Sequence, residues 1–231
     1  MSFNPIYLLI LLPGLLAMWA QSRVRRVYEQ NLTERNRTGS TGLETAEKLL
    51  DYHGLKDIKI ESTKGRLSDH YDPEKNILRL SEEVANSRSI TALGIVAHEV
   101  GHAAQDAEGY RFMRLRTYLA QRVSSAARWS SLVFLGGMLL RIPALMTLAG
   151  IFMLGMLIFT VVTLPVERDA SKRALASLKQ TGLIVEQEGK SVSSVLNSAA
   201  MTYLASVGQR LGSFLIFVVA IRVARGDVPI L

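Results

Sequence analysis

The chain of 231 residues contains 48% hydrophobic and 20% charged residues and carries a formal net charge of +7. It has no cysteine, which excludes disulfides, iron–sulfur clusters and zinc sites built from thiolates. The apolar residues fall into three blocks, near residues 5–20, 129–164 and 199–221, and most of the charge lies between them. This distribution predicts a mainly α-helical membrane protein with a polar domain on one side of the bilayer.

The excess of positive charge favours lipid over nucleic acid as the partner. Arginines cluster beside the apolar blocks, at Arg23, Arg25, Arg26, Arg111, Arg114, Arg116, Arg122 and Arg128. We therefore expect a lipid bilayer as a partner and no nucleic acid.

The first apolar segment, Ile6–Ala20, is long enough with its flanks to span a membrane. No lysine or arginine precedes it, and three arginines follow from Arg23 onward. A cleaved signal peptide has the opposite arrangement, with positive charge ahead of the apolar run. We predict an uncleaved anchor with its N-terminus outside the cell and residue 21 onward in the cytoplasm.

The polar stretch after this anchor predicts several short elements. Gln30–Thr41 is turn-rich, as in a loop, and Leu43–His53 has helical spacing that stops at Gly54. The remaining predictions are a strand at Asp57–Glu61, an extended segment at Leu67–Leu80 with a turn at Asp72–Asn76, helix caps at Ser81 and Ser89, and a helix from Ile90 to about Gln105. The mainly helical chain thus includes a small β element.

The second apolar block, 129–164, is too long for one span and is interrupted by Arg141 and Pro143. It suits two short spans joined by a tight turn. Pro165 is then expected in the first turn of a following helix. Met201–Ile221 is a weaker segment that either spans the membrane or lies along its surface, because polar residues fall in its middle. We expect about four membrane segments.

An H-E-x-x-H motif, His98–His102, lies within the helix predicted from Ile90. Histidines at positions i and i+4 lie on one helix face, so both imidazoles can reach one zinc ion. Glu99 can reach a water on that ion without binding the metal, and can serve as the general base. The apolar residues before the motif, 92–97, favour a buried active-site helix over a solvent-facing helix that carries two histidines by chance.

A third zinc ligand must come from elsewhere, because a catalytic zinc ion takes three protein ligands and a water. His53, His70 and several carboxylates are candidates. The best source is the segment Leu164–Ser171, which contains Glu167, because a two-span hairpin returns the chain to the compartment that holds His98. The alternative for Glu167 is a solvated carboxylate near a helix start.

A family resemblance follows from four stretches: Ser68–Pro73, Arg79–Ser81, Ala97–Asp106 and Leu164–Glu167. Together they resemble the YugP family of bacterial membrane zinc metallopeptidases, over most of the chain. That family is similar in layout to the HtpX-type peptidases, gluzincins that bind zinc with two histidines and one glutamate. The resemblance implies a gluzincin-like site with one Zn²⁺ ion held by His98, His102 and Glu167, and Glu99 as the general base.

One position departs from the HtpX pattern. There an aspartate lies four residues beyond the ligand glutamate, whereas here that position is Ser171 and the aspartate is Asp169. Asp169, or Asp106 one helical turn after His102, could orient a ligand imidazole, since ligand histidines usually donate their other N–H to a carboxylate or carbonyl. The alternative for each aspartate is a surface charge.

The extended segment before the motif helix offers further candidates. His70 and Tyr71 could approach the substrate or stabilise an oxyanion, or they form a structural pair beside the turn. Asn76–Leu80 is a candidate edge strand that receives substrate by strand addition.

These predictions divide the chain into five regions: an N-terminal membrane anchor (1–22), a catalytic domain with the motif helix (23–118), a transmembrane hairpin (119–164), a third-ligand helix region (165–200) and a C-terminal membrane segment with a tail (201–231). The predicted function is a membrane-embedded zinc endopeptidase that acts on polypeptides or membrane proteins near the cytoplasmic face. One alternative is a non-catalytic scaffold or chaperone stabilised by zinc. The other is a transporter or channel, which the scarcity of intramembrane charge disfavours. The sequence predicts no oligomeric state.

Overall fold

The computed structural model describes residues 6–32 and 34–224. Within them lie α1 (Ile6–Leu32), α2 (Gly42–Tyr52), β1 (Lys59–Thr63), β2 (His70–Asp72), β3 (Ile77–Ser81), α3 (Glu82–Asn86), α4 (Ile90–Ala107), α5 (Arg111–Leu139), α6 (Pro143–Gln180), a 3₁₀ turn (Glu186–Glu188) and α7 (Gly189–Ala224). The predicted mainly helical chain with a small β element is confirmed.

The chain divides into two compact units. The polar unit consists of Ser22–Arg114 and Pro165–Met201. The apolar unit consists of the described parts of Met1–Gln21, Leu115–Leu164 and Thr202–Leu231.

The polar unit contains a three-stranded sheet of order β1-β3-β2, with β1 parallel and β2 antiparallel to β3. Strand β3 suits the centre because Leu78 and Leu80 are both buried. The predicted edge strand at Asn76–Leu80 is therefore wrong: both sides of β3 are paired, and β1 and β2 form the edges. The predicted turn between β2 and β3 is confirmed, with Asp72 accepting a hydrogen bond from the Glu74 N–H at 3.1 Å.

Helix α4 carries the H-E-x-x-H motif and is buried along most of its length. The Ser89 hydroxyl caps its N-terminus by accepting from the Ala92 N–H at 3.1 Å, and Ser81 caps α3 in the same way, so both predicted caps are confirmed. Helix α2 packs against α4 and matches the predicted helix at Leu43–His53. It ends where Gly54 adopts a φ of +71°, a conformation that favours glycine.

The backbones of α4 and α6 approach each other closely at Gly101. A methyl group added at Gly101 would lie 2.8 Å from the carbonyl oxygen of Ala170 and 3.3 Å from its Cα. A side chain at this position would therefore separate the two helices. Because glycine has no side chain, the part of α6 that carries Glu167 can lie directly against the motif helix.

In the apolar unit, α5 and the first part of α6 form a helical hairpin with a tight turn at residues 140–142. That both of its helices cross the membrane stays a prediction. A Cβ atom added at Gly137 would lie 3.0 Å from the Cβ of Leu145, so the two helices lie close together beside the turn. Farther along α6, Gly150 lies against the ring of Phe217 in α7, where an added Cβ would be 2.6 Å from a ring carbon.

Two helical segments among the described residues are long and apolar enough to cross a membrane, Pro143–Gln180 and Glu186–Val219. In α1 several large apolar side chains are exposed, namely Leu12, Leu15, Leu16, Met18 and Trp19. The total of about four membrane segments stays a prediction.

Two predicted boundaries are wrong. Pro165 does not begin a helix: it lies inside α6. Proline has no N–H and costs the helix one hydrogen bond, but α6 continues on both sides of it. The loop predicted at Gln30–Thr41 begins later, because α1 continues to Leu32.

Candidate metal centre

Helix α4 places His98 and His102 one turn apart on the same face. Their ring centroids are 4.7 Å apart, and the ring planes are nearly perpendicular at 80°. Both side chains are largely shielded from solvent, with 12% of His98 and 8% of His102 exposed. Two imidazoles at this spacing can direct a nitrogen atom of each ring at one point.

Helix α6 brings Glu167 to the same point. Its Oε2 atom lies 3.0 Å from Nε2 of His98 and 3.6 Å from Nε2 of His102. The three predicted ligands are thus brought together, with one donor atom from each inside a group whose members all lie within 4.8 Å of one another. The two other histidines considered as ligands, His53 and His70, are not part of this group.

The donor set fits a zinc ion. Two imidazole nitrogens and a carboxylate oxygen are ligands that catalytic zinc sites use. Ligands about 2.0–2.1 Å from a tetrahedral ion are about 3.4 Å from each other. The two measured distances from Glu167 to the histidine nitrogens, 3.0 and 3.6 Å, lie on either side of that spacing.

The second nitrogen of each histidine ring also contacts a side chain. Nδ1 of His102 lies 3.0 Å from Oε1 of Gln105, and Nδ1 of His98 lies 3.3 Å from the hydroxyl of Ser171. Sequence reasoning did not select Gln105, although its place three residues after His102 on one helix face was a usable signal. Ser171 occupies the position where the HtpX pattern has an aspartate.

The two aspartates that the sequence offered as orienting groups have other partners. Asp169 accepts hydrogen bonds from Nε2 of Gln105 at 2.8 Å and from Nε of Arg173 at 2.6 Å. Its link to the ring of His102 therefore passes through the side chain of Gln105. Asp106 accepts a hydrogen bond from the Tyr71 hydroxyl at 3.0 Å.

Glu99 is half-buried on α4 and faces strand β2. Its Oε2 atom accepts a hydrogen bond from the main-chain N–H of Tyr71 at 3.0 Å. The side chain of Tyr71 points to Asp106, and burial together with that carboxylate raises the pKa of the hydroxyl well above its ordinary value. Tyr71 therefore stays protonated and links β2 to α4 through both its main chain and its side chain.

His70 lies on the exposed side of β2. Its Nδ1 atom is 2.7 Å from the carbonyl oxygen of Ser68, and its Nε2 atom is 3.3 Å from a guanidinium nitrogen of Arg79. Arg79 also donates to Asp72 at 2.9 Å, and this hydrogen bond opposes the effect of desolvation and lowers the pKa of the Asp72 carboxyl. These contacts join β2 to β3 beside the turn.

Two comparisons with known proteins identify the family of the chain. Residues 6–222 match the family described as "Putative neutral zinc metallopeptidase". The chain is 41% identical over 213 residues to a Bacillus subtilis (strain 168) protein named "Putative membrane protease YugP", a match that covers 92% of this chain and 94% of that protein. No solved structure matches the chain significantly. The resemblance found in the sequence is confirmed, and the chain belongs to this family of zinc metallopeptidases.

Proposed function

We propose that the protein is a membrane-embedded, zinc-dependent endopeptidase. The observation that carries this proposal is the buried Glu167 carboxylate, which lies against both imidazoles of an H-E-x-x-H helix. Glu167 is 2% exposed, and a buried carboxylate at this position is suited to a cation held jointly with the two rings. His98, His102 and Glu167 would hold one Zn²⁺ ion in a gluzincin-like site.

In the proposed reaction the chain's own residues hold the ion and move the proton. Zinc bound by these ligands would lower the pKa of a coordinated water to about 7 and polarise the scissile carbonyl. Glu99 accepts the proton as the general base and then donates it to the leaving amine. The N–H of Tyr71 orients the Glu99 carboxylate, because it donates to one of the two carboxylate oxygens.

A non-catalytic scaffold or chaperone stabilised by zinc is the second candidate. A structural zinc site is closed by four protein ligands, whereas a catalytic site keeps one position for water or substrate. The group formed by His98, His102 and Glu167 offers three ligands among the described residues. This count favours catalysis over a purely structural site.

The membrane placement completes the proposal. The two apolar helical segments and the name of the Bacillus subtilis relative, which describes a membrane protease, support a location in the cell membrane. Lysines and arginines are abundant in residues 21–128 and 165–200, which favours a multi-pass topology with the metal centre on the cytoplasmic side. The substrates would be polypeptides or membrane proteins that reach this face.

Proteolysis by matched variants tests the proposal. Purified protein with one equivalent of zinc should cleave a fluorescently labelled unfolded casein, and a chelator should stop the cleavage. Glu99→Gln should keep the zinc and lose about 10²–10⁴-fold in rate, because it removes the general base. The exposed Glu47→Gln is the control for the same substitution.

Two results would overturn the enzyme proposal. One is cleavage by Glu99→Gln at the rate of the unchanged protein. The other is stoichiometric zinc without any cleavage of casein or of detergent-solubilised membrane proteins, which would favour the scaffold.

A further inference from the structure

Gln105 is fully buried on α4, and its side-chain amide has three partners. Oε1 lies 3.0 Å from Nδ1 of His102. Nε2 donates at 2.8 Å to the main-chain carbonyl oxygen of Val166 and at 2.8 Å to the carboxylate of Asp169. One glutamine therefore connects a proposed zinc ligand on α4 to α6 at the residue directly before Glu167.

These partners determine which way round the amide lies. The carbonyl oxygen of Val166 has no hydrogen and can only accept, so the NH₂ group of Gln105 must face it. The carbonyl oxygen of Gln105 is then the atom that faces His102. An amide oxygen can only accept, so the hydrogen in this contact must belong to Nδ1 of His102.

We propose that Gln105 is a positioning residue that fixes the Nδ1–H tautomer of His102 and so leaves the lone pair of Nε2 for the metal. The inference rests on the proposed function, because it concerns a ligand of the same zinc site. Nε2 is the nitrogen that lies 3.6 Å from Glu167 Oε2, so the tautomer that Gln105 selects presents the lone pair on the side of the other ligands.

The two histidines differ in this respect. Nδ1 of His98 contacts the hydroxyl of Ser171, and a hydroxyl can donate or accept. Ser171 therefore imposes no tautomer on His98, whereas Gln105 imposes one on His102. Loss of the Gln105 amide should weaken zinc binding by about 10- to 100-fold, as expected when the partner of a ligand histidine is removed.

Zinc affinity, measured by competition with a chromophoric chelator, tests the inference without relying on activity. Gln105→Met keeps the length and volume of the side chain and removes its hydrogen bonds. We expect this variant to bind zinc about 10- to 100-fold more weakly than the unchanged protein. The same substitution at the exposed Gln187 is the control and should leave the affinity unchanged.

A third variant, Glu167→Ala, separates this inference from the proposed function. If the unchanged protein binds zinc, Glu167→Ala loses it and Gln105→Met binds as tightly as the unchanged protein, the inference is overturned and the zinc site stands. If the unchanged protein binds no zinc, the proposed function is overturned and this inference with it.

A measurement on the unchanged, zinc-loaded protein covers the case in which Gln105→Met does not fold. The chain has only four histidines, so ¹⁵N-labelled imidazoles can be resolved and assigned by NMR, with His102→Asn as the reference for assignment. We expect the His102 ring to carry its hydrogen on Nδ1 and to bind zinc through Nε2. A His102 ring with its hydrogen on Nε2 would overturn the inference.

Discussion

The hydroxyl of Ser171 lies 3.3 Å from Nδ1 of His98, while Glu167, one helical turn earlier on α6, lies 3.0 Å from Nε2 of the same ring. One face of α6 therefore contacts both nitrogens of a single imidazole. Such a pair of contacts defines the plane of the ring as well as its distance from the helix. Ser171 thus has a position from which it can orient His98, although it is not an aspartate.

Replacement of Ser171 by alanine should weaken zinc binding by up to about 10-fold, at the low end of the effect of such partners, because one long hydrogen bond is lost. Thermal unfolding of the metal-free protein should change little. The measurement is a chelator competition assay, with the exposed Ser194→Ala as the control. Equal zinc affinities for Ser171→Ala and the unchanged protein would contradict this prediction.

The close approach at Gly101 gives a second prediction, with Gly94 on the same helix as its control. Replacing either glycine by alanine should stabilise the helix itself by about 1 kcal/mol, because alanine has the higher helix propensity. At Gly101 the new methyl group would meet backbone atoms of Ala170 at 2.8 Å, and this overpacking costs about 1–3 kcal/mol. At Gly94 the nearest atom is a methyl carbon of Val195 at 3.6 Å, an ordinary contact.

We therefore expect Gly101→Ala to lower both the unfolding temperature and the zinc affinity, because α6 must move away from α4. Gly94→Ala should keep the zinc affinity and keep or raise the unfolding temperature. Calorimetry and zinc titration check the two variants side by side. Equal changes in unfolding temperature and zinc affinity for both variants would show that the close approach of the α4 and α6 backbones does not determine zinc binding.

A third prediction concerns stability and pH. Burial lowers the pKa of His53, opposed by Glu108 and assisted by Arg173, and its Nε2 atom lies 2.9 Å from the hydroxyl of Ser177. The unfolded chain then binds a proton on this residue, with a pKa of about 6.5, more readily than the folded chain does. The contribution of neutral His53 to the free energy of unfolding is complete above about pH 6.5, and it decreases as the pH falls toward the folded-state pKa.

We expect the free energy of unfolding of the metal-free protein to fall less steeply between pH 7.5 and about pH 5.5 in His53→Gln than in the unchanged chain. Denaturant unfolding in the presence of a chelator measures it, because zinc binding then does not add its own pH dependence. Identical slopes would contradict the prediction.

The proposed topology can be tested by single cysteines, because the chain has none of its own. Two variants suit the experiment: Arg141→Cys, in the turn between α5 and α6, and Lys56→Cys, in the exposed loop after α2. With the metal centre in the cytoplasm, a membrane-impermeant thiol reagent should label Arg141→Cys in intact cells and Lys56→Cys only after lysis. The reverse pattern would place the metal centre outside, and the unchanged chain controls for background.

The sequence was most informative where the signal is local. Ser89 and Gly54 mark helix ends through hydrogen bonding and backbone conformation that depend on the residue itself. The fixed spacing of His98 and His102 places both rings on one helix face. Glu167 is less directly predictable, because its contact with His98 joins two helices at positions 69 residues apart in the chain.

The sequence was least informative where the structure depends on distant partners. The central place of β3 is set by its pairing with β1 as well as with β2 across the turn, and the pattern of one strand does not specify how many neighbours it has. Pro165 has the local signature of a helix start, yet α6 continues through it. Gln105 has significance only through Val166 and Asp169, more than 60 residues later in the chain.

The hydrogen bond between Glu99 and strand β2 comes from a main-chain N–H group. Any residue except proline at position 71 would supply the same donor. A substitution of the Tyr71 side chain therefore leaves this hydrogen bond to the carboxylate of the proposed base in place. A one-residue insertion or deletion in the β2–β3 hairpin would have the opposite effect. It would turn that N–H to the other side of the strand, because successive N–H groups alternate in direction. The length of this hairpin is therefore less free to vary than the identity of its residues.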